Sequence, residues 1–140
     1  MEAKFLDSCI FCKIIRGDIP SFKLIETELL YSFLDINPLS YGHCLIIPKY
    51  HAEKLDDVPD EYLHNFLPVA KKLVKALGCS DYNILQNNGK VAHQIVPHLH
   101  FHVIPKPSAS EQEGLVLSGV QKSLSKEELQ KAHEEIMSRL

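Results

Sequence analysis

The sequence predicts an α+β domain built on one antiparallel sheet of about five strands. Two observations carry that expectation. Four to five short β-patterned segments are spread along the 140 residues. Helical periodicity is confined to separate stretches, with none of the strand–helix–strand alternation that a parallel sheet requires. The length suits one domain, and an apolar fraction of 45% with 24% charged residues is ordinary for a globular chain. A formal net charge of −3 leaves no basic footprint, which argues against a nucleic-acid polymer as partner. No apolar run approaches a membrane span, and the early charges Glu2, Lys4 and Asp7 argue against a secretory signal. The expectation is no membrane and an intracellular site, cytoplasmic with the nucleus included. There Cys9, Cys12, Cys44 and Cys79 are thiols or metal ligands rather than disulfides.

Ile10, Phe11, Ile14 and Ile15 recur at helical spacing, with Ser8 as cap and Gly17 as stop, so a short N-terminal helix is expected. Cys9-x-x-Cys12 on it is a weak motif alone. A redox pair would follow a strand, a zinc half-site needs two further ligands, and two packed thiols are the default. Residues 23–25 and 29–34 read as strands. Asp35-Ile36-Asn37-Pro38 opens a loop; Asp35 is either a turn-former bonding its own backbone or a carboxylate placed to accept from a ribose diol. Residues 43–48 are apolar on both faces and belong in the middle of the sheet. Residues 58–77 carry helical periodicity, with Gly78 as stop and Pro68 predicting a kink or a split. Residues 82–86 are a strand, 87–90 a turn, and 91–96 a loop bearing His93 and Gln94. After Pro107 comes a polar loop and then an amphipathic helix over 125–139. Ser125-x-x-Glu128 is its capping box, and Leu129, Ala132, Ile136 and Leu140 form its stripe. Residues 1–106 form the body of the domain and 107–140 a C-terminal loop and helix extension.

The most informative stretch is Pro97-His98-Leu99-His100-Phe101-His102-Val103-Ile104-Pro105. In a strand, side chains at i, i+2 and i+4 share a face, so His98, His100 and His102 line one side at spacings of roughly 6 to 7 Å. Leu99, Phe101 and Val103 point into a core. Three adjacent imidazoles repel one another when protonated, so near neutral pH most are neutral. Neutral imidazoles serve as nucleophiles, proton carriers or metal ligands.

This pattern of three histidines alternating with apolar residues resembles the signature of the histidine triad (HIT) family of nucleotide-binding proteins. The segments around Ile10-Phe11-Cys12-Lys13-Ile14-Ile15, Leu34-Asp35-Ile36-Asn37-Pro38, Gly42-His43-Cys44-Leu45-Ile46-Ile47-Pro48 and Asn87-Asn88-Gly89 with Gln94 resemble it in the same order. The branch looks like the adenosine 5′-monophosphoramidases. The resemblance implies a HIT-like antiparallel fold, a homodimer, and hydrolysis of the P–N bond of purine nucleotide conjugates of the AMP-amine type. His100 matches the nucleophile, which forms a nucleotidyl-histidine intermediate without a catalytic metal. His102 matches the residue at the phosphate and leaving group, and His98 and His43 match residues that orient the nucleophile. Asp35 matches the ribose contact, Asn87 and Gln94 the phosphate cradle, and Ile10, Phe11, Ile14, Phe33, Ile36 and Leu45 the base pocket. Cys9, Cys12, His51 and His98 match the ligands of a structural zinc. Two positions depart from the family: His93 stands where glycine is frequent, and Ile95 where the phosphoramidases often carry serine. The same resemblance leaves two alternatives, a dinucleoside polyphosphate hydrolase and a nucleotide-binding regulatory protein with incidental turnover.

Overall fold

The computed structural model describes residues 4–109 and 112–140. Helix α1 (Ile10–Arg16) precedes strands β1 (Lys23–Glu26), β2 (Leu30–Leu34) and β3 (Cys44–Pro48). Helix α2 (Phe66–Leu77), strands β4 (Tyr82–Gln86) and β5 (Phe101–Pro105), and helix α3 (Lys126–Met137) follow. The five strands form one sheet in the order β1-β2-β3-β5-β4, antiparallel throughout. Fold class and strand positions agree with the sequence expectation. β3 is buried at all five positions and sits in the middle, as its two apolar faces require.

The sheet divides two cores. On one face Leu30, Cys44, Ile46, Leu99 and Val103 pack against Phe66, Val69, Ala70 and Leu73 of α2. On the other, Tyr31, Phe33, Leu45 and Ile47 pack against Phe11, Cys12 and Ile14 of α1. The alternation along β2 and β3 is the period-2 rule at work. Because α1 is short, it covers only part of its face, and the rest is left to the histidines.

Three local expectations are corrected. The cap of α1 is Cys9, not Ser8: its sulfur accepts the Cys12 N–H. The stretch 58–77 is not one helix. It begins with a 3₁₀ turn at Asp60–Tyr62, preceded by another at Leu55–Asp57, and α2 starts only at Phe66. Pro68 then falls in the first helical turn, where its missing N–H is no loss, so the split expected at Pro68 lies ahead of it. The histidine strand is also shorter than expected. β5 begins at Phe101, because the last β3–β5 pair is Ile46 with Phe101. His98, Leu99 and His100 are a lead-in outside the strand, with a bend at His98, held by a Leu99 N–H bond to the Ala52 carbonyl at 2.7 Å. Alternation survives the loss of the ladder: Leu99 is buried with α2 and the histidines face α1.

Gly42 (φ +87°) turns the chain into β3, and a Cβ there would come within 2.6 Å of the Leu77 side chain at the end of α2. The C-terminal helix α3 has the expected capping box between Ser125 and Glu128 and buries no residue. Among the described residues no helix is long and apolar enough to cross a membrane.

Candidate active site

His100 is buried, and its ring sits edge-on to Phe11 with centroids 5.3 Å apart. Its Nδ1 lies 2.7 Å from the backbone carbonyl oxygen of His98. A carbonyl only accepts, so Nδ1 carries the proton and Nε2 is left with a free lone pair. Burial lowers the His100 pKa, which keeps the ring neutral. A neutral imidazole with a fixed tautomer is a competent nucleophile.

His102 is oriented by a relay that begins at the backbone. The Leu39 N–H donates to His43 Nδ1 at 3.0 Å. His43 therefore carries its proton on Nε2 and donates it to His102 Nδ1 at 2.9 Å. His102 in turn must hold its proton on Nε2, as a hydrogen-bond donor beside the nucleophile; the His100 and His102 ring centroids are 4.8 Å apart. Burial lowers the His43 pKa against the pull of Asp35, whose carboxylate is 3.6 Å from Nε2. Burial, with His100 and His43 alongside, pushes His102 down to about 4. The other Asp35 oxygen accepts the Asn37 N–H at 2.8 Å, so Asp35 braces its turn with one oxygen and keeps the second near the histidines.

His98 points the other way along the lead-in, to the sulfurs. Its Nδ1 is 3.3 Å from Cys9 Sγ and 3.6 Å from Cys12 Sγ, and Cys12 Sγ is 3.5 Å from His51 Nδ1. The four donor atoms lie within 4.8 Å of one another and all four residues are buried. Bonds of about 2.3 Å to sulfur and 2.05 Å to nitrogen at a tetrahedral angle put S and N about 3.6 Å apart. The observed separations fit that geometry. His98 Nε2 donates to the Pro48 carbonyl at 3.1 Å, which leaves Nδ1 free to ligate. The Leu6 N–H points at Cys12 Sγ and the Cys12 N–H at Cys9 Sγ, both at 3.5 Å, as thiolates require. Burial foremost pushes the Cys12 thiol up to about 11, so binding a cation there would release a proton. The residues fit a closed Cys₂His₂ zinc centre.

The cradle residues divide. Gln94 is buried and fully bonded to backbone. Its oxygen accepts the Gly89 N–H at 2.7 Å, and its nitrogen donates to the Glu53 and Val96 carbonyls at 2.7 and 3.0 Å. Both amide hydrogens are held by backbone carbonyls, which fixes the Gln94 side chain between residues 53, 89 and 96. The Asn87 amide leans on the His93 carbonyl at 3.4 Å. His93 is the one described non-glycine residue at positive φ (+68°), so it adopts the backbone shape that glycine would have supplied there. A 3₁₀ turn at Lys90–Ala92 replaces the plain loop expected. Among the expected base-pocket residues, Phe11, Ile14, Phe33 and Leu45 are core beneath α1, while Ile10 and Ile36 present exposed apolar surface.

His100 and His102 thus come together with His43 and Asp35, while the His98 ring joins Cys9, Cys12 and His51. Sequence reasoning missed the groups that set their tautomers: the Leu39 N–H and the carbonyls of Pro48 and His98. These are backbone atoms, common to almost every residue type, and no side-chain pattern marks them.

The HIT domain matches residues 16–109. The chain belongs to the HIT family. The adenosine 5′-monophosphoramidase of Saccharomyces cerevisiae is 53% identical over 133 residues, covering 95% of this chain and 83% of that one. The adenosine 5′-monophosphoramidase of Schizosaccharomyces pombe is 52% identical over 95% of this chain and 98% of that one. The crystal structure of a histidine triad nucleotide-binding protein from Candida albicans is 51% identical and superposes with a TM-score of 0.89, covering 94% of this chain and 96% of that one. The HIT fold is therefore shared over nearly the whole chain.

Proposed function

We propose that this HIT protein is an adenosine 5′-monophosphoramidase. The observation that carries the reading is the His100 bond to the His98 carbonyl, which leaves Nε2 as the free nucleophilic nitrogen. Nε2 attacks the α-phosphorus of an AMP-amine conjugate, the P–N bond breaks, and the amine leaves with a proton. His102 Nε2–H stands at the leaving nitrogen and the phosphate oxygens, held there by His43. Water then cleaves the nucleotidyl-histidine to AMP and restores the neutral ring. Asp35 contacts the ribose, and the base lies against Ile10 and Ile36 over the floor built by Phe11, Ile14, Phe33 and Leu45. Backbone N–H groups of the loop from Asn87 to Gln94 meet the phosphate charge. The curated relatives of matching length carry the same activity in their names.

Cys9, Cys12, His51 and His98 hold a structural zinc in this reading. When bound, the ion locks α1 to the lead-in of β5. The protein acts as a homodimer through α2 and the outer edge of β4. Among the described residues that edge pairs with no strand, and it borders a shallow groove lined by Leu67, Ala70, Lys71, Val74, Lys75, Tyr82 and Ile84. A cytoplasmic and nuclear location completes the proposal, to be checked by imaging a tagged chain.

The deciding experiment compares adenosine 5′-phosphoramidate with diadenosine triphosphate, in wild type and His100→Ala. Preference for the phosphoramidate, lost in the variant while AMP still binds, is the expected result. Preference for the dinucleotide, or turnover surviving in the variant, overturns it.

A further inference from the structure

The donor that sets the His43 tautomer is a peptide N–H in a loop, and such a donor stays on target only if its residue is held. Leu39 lies between β2 and β3, after Asn37 and Pro38 and before Gly42. The loop braces itself at two places. The Asp35 N–H donates to the His43 carbonyl and the His43 N–H to the Ser40 carbonyl, both at 3.0 Å. Neither bond grips Leu39. That grip comes from beyond β5: the Gly114 N–H donates to the Leu39 carbonyl at 2.8 Å, and the Tyr41 N–H reaches Glu113 Oε1 at 3.4 Å. Next to Leu39, Ser40 is buried and its Oγ donates to the Pro105 carbonyl at 2.6 Å.

Gly114 is itself built into the domain. It is buried, although it lies well past the last strand. Lys106 Nζ donates to the Glu113 carbonyl at 2.7 Å and to the Leu115 carbonyl at 3.5 Å, so one ammonium straddles the glycine. The Lys106 N–H is fixed in turn to the Asp81 carbonyl at 2.8 Å, at the foot of β4. A Cβ on Gly114 would come within 2.8 Å of Lys106 Cδ and 3.1 Å of the Pro105 carbonyl oxygen. The backbone there is also left-handed, at φ +88°. Both the close approach and the conformation demand glycine.

These contacts close a circuit. It starts on β5 at His102, follows the strand to Pro105 and Lys106, and crosses to Gly114. From there it passes to Leu39 and returns through His43 to His102 Nδ1. His100 stands outside it, because its own tautomer is set by the His98 carbonyl.

We infer that Gly114, straddled by Lys106, is a positioning residue for the reaction: it holds Leu39 so that the Leu39 N–H stays on His43 Nδ1 and the His102 proton stays on Nε2. The inference rests on reading the triad as the active site. If Leu39 drifts, His43 is free to carry its proton on Nδ1. Its Nε2 then becomes an acceptor, and His102 answers by placing its own proton on Nδ1. One proton changes nitrogen on each ring and both rings stay neutral, yet the proton that faces the nucleophile is gone. The segment after β5 thereby serves the chemistry of its own chain without touching substrate.

The test reads the ring nitrogens directly, by nitrogen NMR of the full chain, which separates an N–H from a nitrogen bearing a lone pair. Wild type should show His43 and His102 each with the proton on Nε2, and His100 with it on Nδ1. Gly114→Ala should put both tautomers on His43 and His102 and leave His100 unchanged. Lys106→Met, a milder change that keeps the glycine in place, should give the same mixing to a smaller extent. Lys106→Arg, which restores a cationic donor, should return single tautomers. Turnover of adenosine 5′-phosphoramidate should fall in step, with kcat down about tenfold in Gly114→Ala and about threefold in Lys106→Met, and KM within about threefold of wild type. Single tautomers of His43 and His102 in the variants, or mixed ones already in wild type, overturn the inference, whatever the activity. Mixing that reaches His100 as well overturns it too, since Gly114 would then only hold the domain together. Mixed tautomers with an unchanged kcat show that the circuit does not serve the reaction. If wild type turns over no phosphoramidate at all, the proposed activity fails, and the ring nitrogens still decide whether Gly114 holds Leu39 on His43.

Discussion

Two imidazole clusters lie within five residues of each other on the approach to β5, and they are built for opposite tasks. Around His98 the partners are two thiols and His51, all buried, and every nitrogen that could carry chemistry faces inward. Around His102 the partners are His43 and a half-buried carboxylate, and the relay ends with a proton facing the nucleophile. The residue types overlap. What separates the clusters is the partner of the second ring nitrogen. A carbonyl on Nε2 leaves Nδ1 of His98 facing the sulfurs. A carbonyl on Nδ1 leaves Nε2 of His100 with the free lone pair that the proposed chemistry uses. The difference teaches that backbone acceptors, not the histidines themselves, distribute the roles.

The comparison breaks most sharply at His100. His100→Ala should lower kcat/KM by roughly 10⁴-fold or more, with AMP affinity within a few-fold of wild type. Turnover within tenfold of wild type would erase the distinction between the clusters. Cys12→Ser tests the other side. It should remove bound zinc, measured by elemental analysis, and lower the melting temperature by about 10 °C or more. An unchanged melting temperature and metal content would leave Cys9 and Cys12 as packed thiols.

Acid bears on both clusters, since burial pushes His98 and His102 alike down to about 4. His102 has a folded pKa of about 4, below its ordinary 6.5, so between those values the unfolded chain binds the extra proton. Stability from this group is complete above about pH 6.5 and falls as the pH drops, levelling off near 4, for a loss on the order of 3 kcal/mol. Chemical denaturation of His102→Asn should show a shallower decline over that window, and an equal slope would remove His102 as the cause. A smaller effect is expected one step back in the relay. His43→Ala should lower kcat by about 10- to 100-fold, and His43→Gln, which restores an N–H, should recover part of it. Equal losses in the two would show that His43 fills space rather than orients. Least of all, Gln94→Ala should cost about 1 to 3 kcal/mol of stability by stranding the Gly89 N–H and two carbonyls. Urea denaturation would register it.

Much of this was legible in the sequence. Period-2 alternation placed the sheet, because burying one face leaves no freedom in register. The capping box of α3 and the glycine ends of α1 and α2 were local signals and survived folding. The start of α2 was not legible, since Tyr62 keeps the helical period and is buried while its backbone is a 3₁₀ turn. The function of Gln94 was not legible either, because its three partners are main-chain atoms brought from residues 53, 89 and 96.

His98 belongs to both clusters through different atoms. Its side chain serves the sulfurs and its carbonyl orients the nucleophile. In evolutionary terms these two duties are separable. The first demands histidine; the second is met by any residue that keeps the lead-in on its course. A lineage can therefore abandon the cysteines, and even the histidine at 98, without losing the tautomer at 100. The reverse path is closed, because a backbone shift that spoils the carbonyl also moves the ring. The sulfur cluster rests on side chains, whereas the tautomer of His100 rests on chain direction.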